Sequence, residues 1–115
     1  MMKCLAKLLA ASTLITTLAH AEEQLDQSTI DAGKVHEVCM TLTEGQNLSY
    51  FFRSSETMNF NIHYHVGEDV FFPVEEYPTN MGSDVFTAPI EQGYCMMWTN
   101  PTESAVDLEV RYEVQ

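Results

Sequence analysis

Apolar and polar residues alternate with a period of two along most of the chain, most cleanly at its end. Val106, Leu108, Val110, Tyr112 and Val114 share one face; Asp107, Glu109, Arg111 and Glu113 share the other. Successive side chains of an extended backbone point to opposite sides, so this is a strand with one buried and one wet face. The pattern predicts about seven strands, near 34–43, 46–54, 58–66, 69–74, 83–88, 93–100 and 105–114. Gly33, Gly45, Gly67, Gly82 and Gly93 fall before or between these runs, as do Pro78, Pro89 and Pro101, and these residues punctuate strands with turns. Pro73 has no N–H to give a ladder, which places its run at a sheet edge. Residues 75–81 lack alternation and read as a surface loop, and the acidic stretch 22–33 reads as a flexible arm. No segment carries the 3.6-residue period of an amphipathic helix. The expected fold class is all-β: a single antiparallel β-sandwich of about seven strands over residues 34–115.

The first 21 residues follow a different rule. Lys3 and Lys7 precede an apolar run from Leu8 to Leu18, and Ala19-His20-Ala21 is a small-x-small cleavage site before Glu22 and Glu23. This is the layout of a secretory signal peptide, and the run falls short of the roughly 20 apolar residues that span a bilayer. Cys4 is expected to leave with it. The mature chain then keeps three basic residues, Lys34, Arg53 and Arg111, against all 17 acids, a net charge of −14. No second apolar run has membrane length, so a periplasmic or secreted location is expected. The charge excludes nucleic-acid binding, which needs a basic face to displace counterions from phosphates. The 45% apolar content excludes a disordered chain.

Export changes how the cysteines are read. Cys39 and Cys95 remain in the mature chain, and two cysteines in an oxidising compartment are most simply one disulfide. Their spacing is nothing like the C-x-x-C of a redox couple. Cys39-Met40 opening a strand, then Gly45 and Leu48, Phe60-Asn61-Ile62, Gly93-Tyr94-Cys95 and Asn100, with the alternating last strand, together resemble the GOLD (Golgi dynamics) domain. That is a luminal β-sandwich of eukaryotic cargo receptors. The resemblance spans roughly residues 34–115 and implies a Cys39–Cys95 disulfide and a non-enzymatic, protein-binding role. The coiled coil, membrane helix and sorting tail of those receptors have no counterpart before Gln115, so a free-standing exported domain is expected.

The candidate chemistry centres on Asn61-Ile62-His63-Tyr64-His65. In a strand His63 and His65 share a face about 7 Å apart, a spacing at which two imidazoles can converge on Cu or Zn. Glu68 and Asp69 follow the turn at Gly67 and offer further oxygens. The plainer alternative is two solvent-facing histidines, and Met40 and Met96 alternate in phase with core positions. Aromatics on both faces of Tyr50-Phe51-Phe52 and Val70-Phe71-Phe72, and the dense run around Trp98, suggest a second apolar contact surface with Phe51, Phe71 and Trp98 as candidates; the plainer reading of Tyr94, Met96 and Trp98, which share one face, is a central core strand with Trp98 packed near the disulfide. Its occupant would be a protein partner or a second copy. Ser49, Ser54 and Ser55 lack a nucleophile-elbow context, and no pair of carboxylates stands out, so no enzyme is expected. The function expected is a non-catalytic binding module, with a periplasmic Cu or Zn protein using His63 and His65 as the alternative.

Overall fold

The computed structural model describes residues 22–115; the expected signal peptide and its cleavage site lie outside the described residues. Six strands form: β1 (Gln24–Ile30), β2 (Val35–Leu42), β3 (Asn47–Val66), β4 (Asp69–Thr87), β5 (Gln92–Thr99) and β6 (Val106–Val114). They make one antiparallel curled sheet in the order β1-β6-β3-β5-β2, with β4 on the other side of β3.

The register explains the curl. Partners run from Gln24↔Tyr112 through Leu42↔Gln92 and Asn47↔Thr87 to Val66↔Asp69. The described chain is therefore one long hairpin ribbon, closed at Gly67 and interrupted at corners. The ribbon is rolled so that β3 meets its own distant arm twice, Leu48–Ser54 against β6 and Asn59–His63 against β5. This is the winding principle of jelly-roll domains. It divides the sheet into a terminal half (β1, β6 and the adjoining parts of β3 and β4) and a hairpin half (β2, β5 and the parts of β3 and β4 nearest the turn).

The inward positions of the two halves form the core. Phe52 of the terminal half lies 4.5 Å, centroid to centroid, from Phe60 and 5.3 Å from Trp98 of the hairpin half. Leu48, Met58, Ile62, Tyr94, Met96, Val106 and Val110 complete a fully buried cluster. Met96 and partly buried Met40 are packing residues, as their phase indicated.

The corners are held by polar groups that sequence periodicity does not reveal. Asn100 is fully buried. Its Nδ2 donates toward the carbonyls of Ile30 (3.0 Å), Asp31 (3.2 Å) and Ser104 (2.8 Å), while its Oδ1 accepts from the Thr102 N–H and hydroxyl. One side chain thus ties the β1–β2 corner to the β5–β6 corner. At the hairpin turn Gly67 has φ 59°, and among the described residues no non-glycine residue has positive φ. Glycine first, followed by an ordinary residue, is the type II′ pattern that matches strand twist.

Four expectations need correction. The strands expected at 46–54 and 58–66 are one strand, β3, because Ser54–Thr57 contains neither Gly nor Pro and passes the bend as a register shift. Those expected at 69–74 and 83–88 are likewise one strand, β4. Residues 75–81 are therefore not a loop: β4 pairs on one side only, and an edge strand tolerates Pro73 and Pro78. Most of 22–33 is no flexible arm, since Gln24–Ile30 pair with β6. Its alternation was hidden because inward-phase positions Asp26 and Ser28 are polar. Asp26 Oδ1 sits 3.2 Å from His36 Nε2 across the seam between β1 and β2. The result is six strands in one curled sheet, where seven in a sandwich were expected.

Candidate functional site on the outer face of the hairpin half

Pairing brings chemistry-bearing side chains together on the outer face of the hairpin half. Glu37, Met97 and Asn61 are successive partners across β2, β5 and β3, and Cys39, Cys95 and His63 form the neighbouring row. Paired residues point to the same side of a sheet, so these six side chains form one patch. Cys39 and Cys95 are joined, with Cα atoms 4.1 Å apart.

His63 sits at the centre. The β3–β4 register shifts between Ile62 and Tyr64, and the Phe72 ring lies 5.9 Å from the imidazole. His65 stands edge-on to it at 5.1 Å. The His63 side chain is 5% exposed and the Glu37 side chain 40%. His63 Nδ1 lies 2.8 Å from Asn61 Oδ1. Which ring nitrogen carries the hydrogen follows the orientation of the Asn61 carboxamide: facing Oδ1, Nδ1 donates; facing Nδ2, Nδ1 accepts and Nε2 carries the hydrogen. Burial holds the His63 pKa below the ordinary histidine value; the Glu37 carboxylate opposes that shift and His65 adds to it. The ring faces Glu37 Oε1 at 3.5 Å. Asn61 Nδ2 close by is buried without a partner, and Glu37 pairs with no Lys or Arg among the described residues. Such an arrangement suits a cation or an N–H donor placed at Glu37.

Of the expected metal pair, His63 and His65 do share a face, but the donors that lie within 4.8 Å of one another are Glu37, His63 and Cys95. The sulfur of Cys95 is already in the disulfide. Glu68 and Asp69 stand at the turn, outside that group. Glu37 could not be picked out from sequence, because only the β2–β5–β3 register carries it to His63.

The expected contact residues divide. Trp98 is corrected as a contact residue, and the core reading of its strand holds: it is fully buried between Phe52 and Phe60, since its strand is central and its phase points inward. Phe51 is half-buried on the outer face of the terminal half, beside Arg111 and Ser83. Phe71 is exposed, stacked on Tyr64 at 5.2 Å. It belongs to an exposed apolar group at the hairpin tip: Val66 (49%), Val70 (41%), Phe71 (45%) and Phe72 (46%).

A concavity lies elsewhere, a groove of about 580 Å³ on the terminal half lined by Ser28, Arg53, Ser54, Ser55, Asp107 and Glu109 among others. Its cation is already taken. Arg53 Nε donates to Glu109 at 2.6 Å and Arg111 to the same carboxylate at 3.1 Å. These two guanidinium groups, Arg53 first, hold the Glu109 carboxyl below the usual carboxylate range.

A small all-β domain stapled by one disulfide is thus the class of protein the fold defines. No helix of the described residues is long and apolar enough to cross a membrane. No protein-family model matches the sequence, and no curated protein matches it. Among solved structures the fold is similar to Aeromonas hydrophila PliG, a periplasmic inhibitor of g-type lysozyme. That match has a TM-score of 0.60 and 12% identity, over 83% of this chain and 88% of that one. It is also similar to the Yersinia pseudotuberculosis-derived mitogen, with a TM-score of 0.54 and 15% identity, over 84% and 88% of the two chains. At these identities the likeness is one of fold.

Proposed function

We propose that this protein is an exported, non-catalytic binding module whose partner is a basic protein, with a g-type lysozyme as the first candidate. The carrying observation is the pairing of charge with apolar exposure. No Lys or Arg occurs between Ser54 and Val110, and that stretch holds the exposed hairpin tip. Opposite charge speeds encounter and selects basic partners, while exposed aromatics provide anchors. The Cys39–Cys95 bond suits an oxidising compartment. From the resemblance to GOLD domains this proposal keeps the non-enzymatic, protein-binding role. From the similar folds it takes the precedent of a small periplasmic inhibitor. The test is calorimetric titration of a basic g-type lysozyme with the protein produced from the full chain, alongside a cell-wall lysis assay. Saturable 1:1 binding that weakens with salt and slows lysis is expected. Absence of binding at low salt would remove lysozyme as the partner.

The proximity of Glu37, His63 and His65 also favours a second reading, a Cu or Zn site on His63 Nε2 and Glu37 with His65 as a further ligand. Metal-binding histidines commonly donate their other ring N–H to a fixed acceptor, the role Asn61 Oδ1 would play. Native mass spectrometry with each metal tests it. One stoichiometric ion, lost in His63→Ala/His65→Ala, is the expected signature; no bound ion in the wild type sets the reading aside.

A further inference from the structure

We infer that the outer face of the hairpin half, from the Glu37–His63 pair to Val70 and Phe72, is the docking surface, and that it receives a Lys or Arg side chain of a basic protein at Glu37. This rests on the proposed binding function and assigns it a place.

The polar part of the surface is incomplete as it stands. His63 Nε2 and Glu37 Oε1 face each other at 3.5 Å. An ammonium or guanidinium donor can pair with the Glu37 carboxylate, and hydrogen bonds to charged groups are roughly twice as strong as neutral ones. Glu37 is exposed enough to be reached from solvent.

The apolar part adjoins it directly. Phe72 is 5.9 Å from His63, and Val70 is the partner of His65, whose ring touches His63 in turn. An aromatic ring beside a cation site adds a cation–π contribution. The strip is already ordered: Asn61 fixes His63, Tyr64 and Phe71 stack on the opposite side of the hairpin, and Gly67 sets the turn. Binding therefore costs little conformational entropy.

The choice of occupant follows from charge. Glu68 and Asp69 at the turn and Glu75 and Glu76 along β4 surround the strip with carboxylates. The arginines lie in the terminal half, held at Glu109. A second copy would bring like charges together at both tips, and an anionic lipid surface would be repelled. A basic protein meets neither obstacle.

The test uses calorimetry with a basic g-type lysozyme as probe, in buffer containing EDTA, and compares wild type with Phe72→Ser, Glu37→Gln and the control Met81→Ser/Val85→Ser. The control residues are exposed apolar side chains of the terminal half. Melting temperatures close to wild type establish that each variant is folded. The expected result is a loss of at least ~30-fold in affinity for Phe72→Ser, the effect of an interface hot spot. Glu37→Gln should lose roughly tenfold or more, and the control should change less than about twofold. Wild-type binding that Phe72→Ser and Glu37→Gln leave intact would overturn the docking surface while leaving the binding function standing. Absence of wild-type binding would remove the lysozyme as partner and overturn its docking at this face. A dimer in sedimentation that Phe72→Ser converts to monomer would assign the face to self-association instead.

Discussion

Two residues carry more of this fold than their type suggests. Asn100 fills a buried corner with every polar atom engaged. Replacing it by alanine leaves the buried Ile30 carbonyl and the partly buried carbonyls of Asp31 and Ser104 without this donor, and an unmade buried hydrogen bond costs about 1–3 kcal/mol. Asn100→Ala is expected to lower stability by about 3 kcal/mol, read as a fall in urea midpoint at unchanged slope. His63 titrates against the fold. Unfolded, its imidazole takes up a proton near pH 6.5; folded, burial delays that to lower pH. The unfolded state then binds more protons in the interval, so stability should fall as pH drops from about 6.5 toward the folded value. His63→Gln should remove that part of the slope. Urea melts of both proteins between pH 8 and 5, with EDTA present, provide the comparison; parallel curves would refute the assignment.

At the scale of elements, β2 and β5 are joined twice, by their ladder and by the Cys39–Cys95 bond. That bond closes a sequence separation of 56 residues, a constraint on the unfolded chain worth roughly 4 kcal/mol in the chain-entropy account. Cys39→Ser/Cys95→Ser should lose about that amount in denaturant melts. The β3–β4 pair depends on a missing side chain. A Cβ at Gly82 would run into the Phe52 ring, which is fully buried and has no room to withdraw. Gly82→Ala should therefore cost about 1–3 kcal/mol. A thermal melt unchanged from wild type would show that the ribbon can shift there. Gly45 and Gly67, by contrast, have open space around them and are needed for their positive φ.

The whole molecule is an acidic ribbon wound on itself. Like charges spread over a small surface repel, and this opposes compaction unless salt screens them. The melting temperature should rise from about 20 mM to about 500 mM NaCl, where the Debye length falls well below 10 Å; a fall would mean that pairs such as Arg53–Glu109 outweigh the general repulsion. Local chemistry alone determined much of this protein. Alternation along 105–114 marked a half-buried strand, Gly33, Gly45 and Gly67 marked turns, though Gly82 and Gly93 fall inside β4 and β5, Pro73 marked an edge, and two cysteines in a chain expected to be exported marked a disulfide. These are one-dimensional signals, because each depends on a residue and its near neighbours. The tertiary structure decided what depends on register. It merged four expected runs into β3 and β4 and drew Gln24–Ile30 into the sheet. It also set Glu37 opposite His63, 26 positions away in sequence. Period-two patterning says which face a side chain takes but not which strand lies beside it, and only the winding of the ribbon supplies that neighbour.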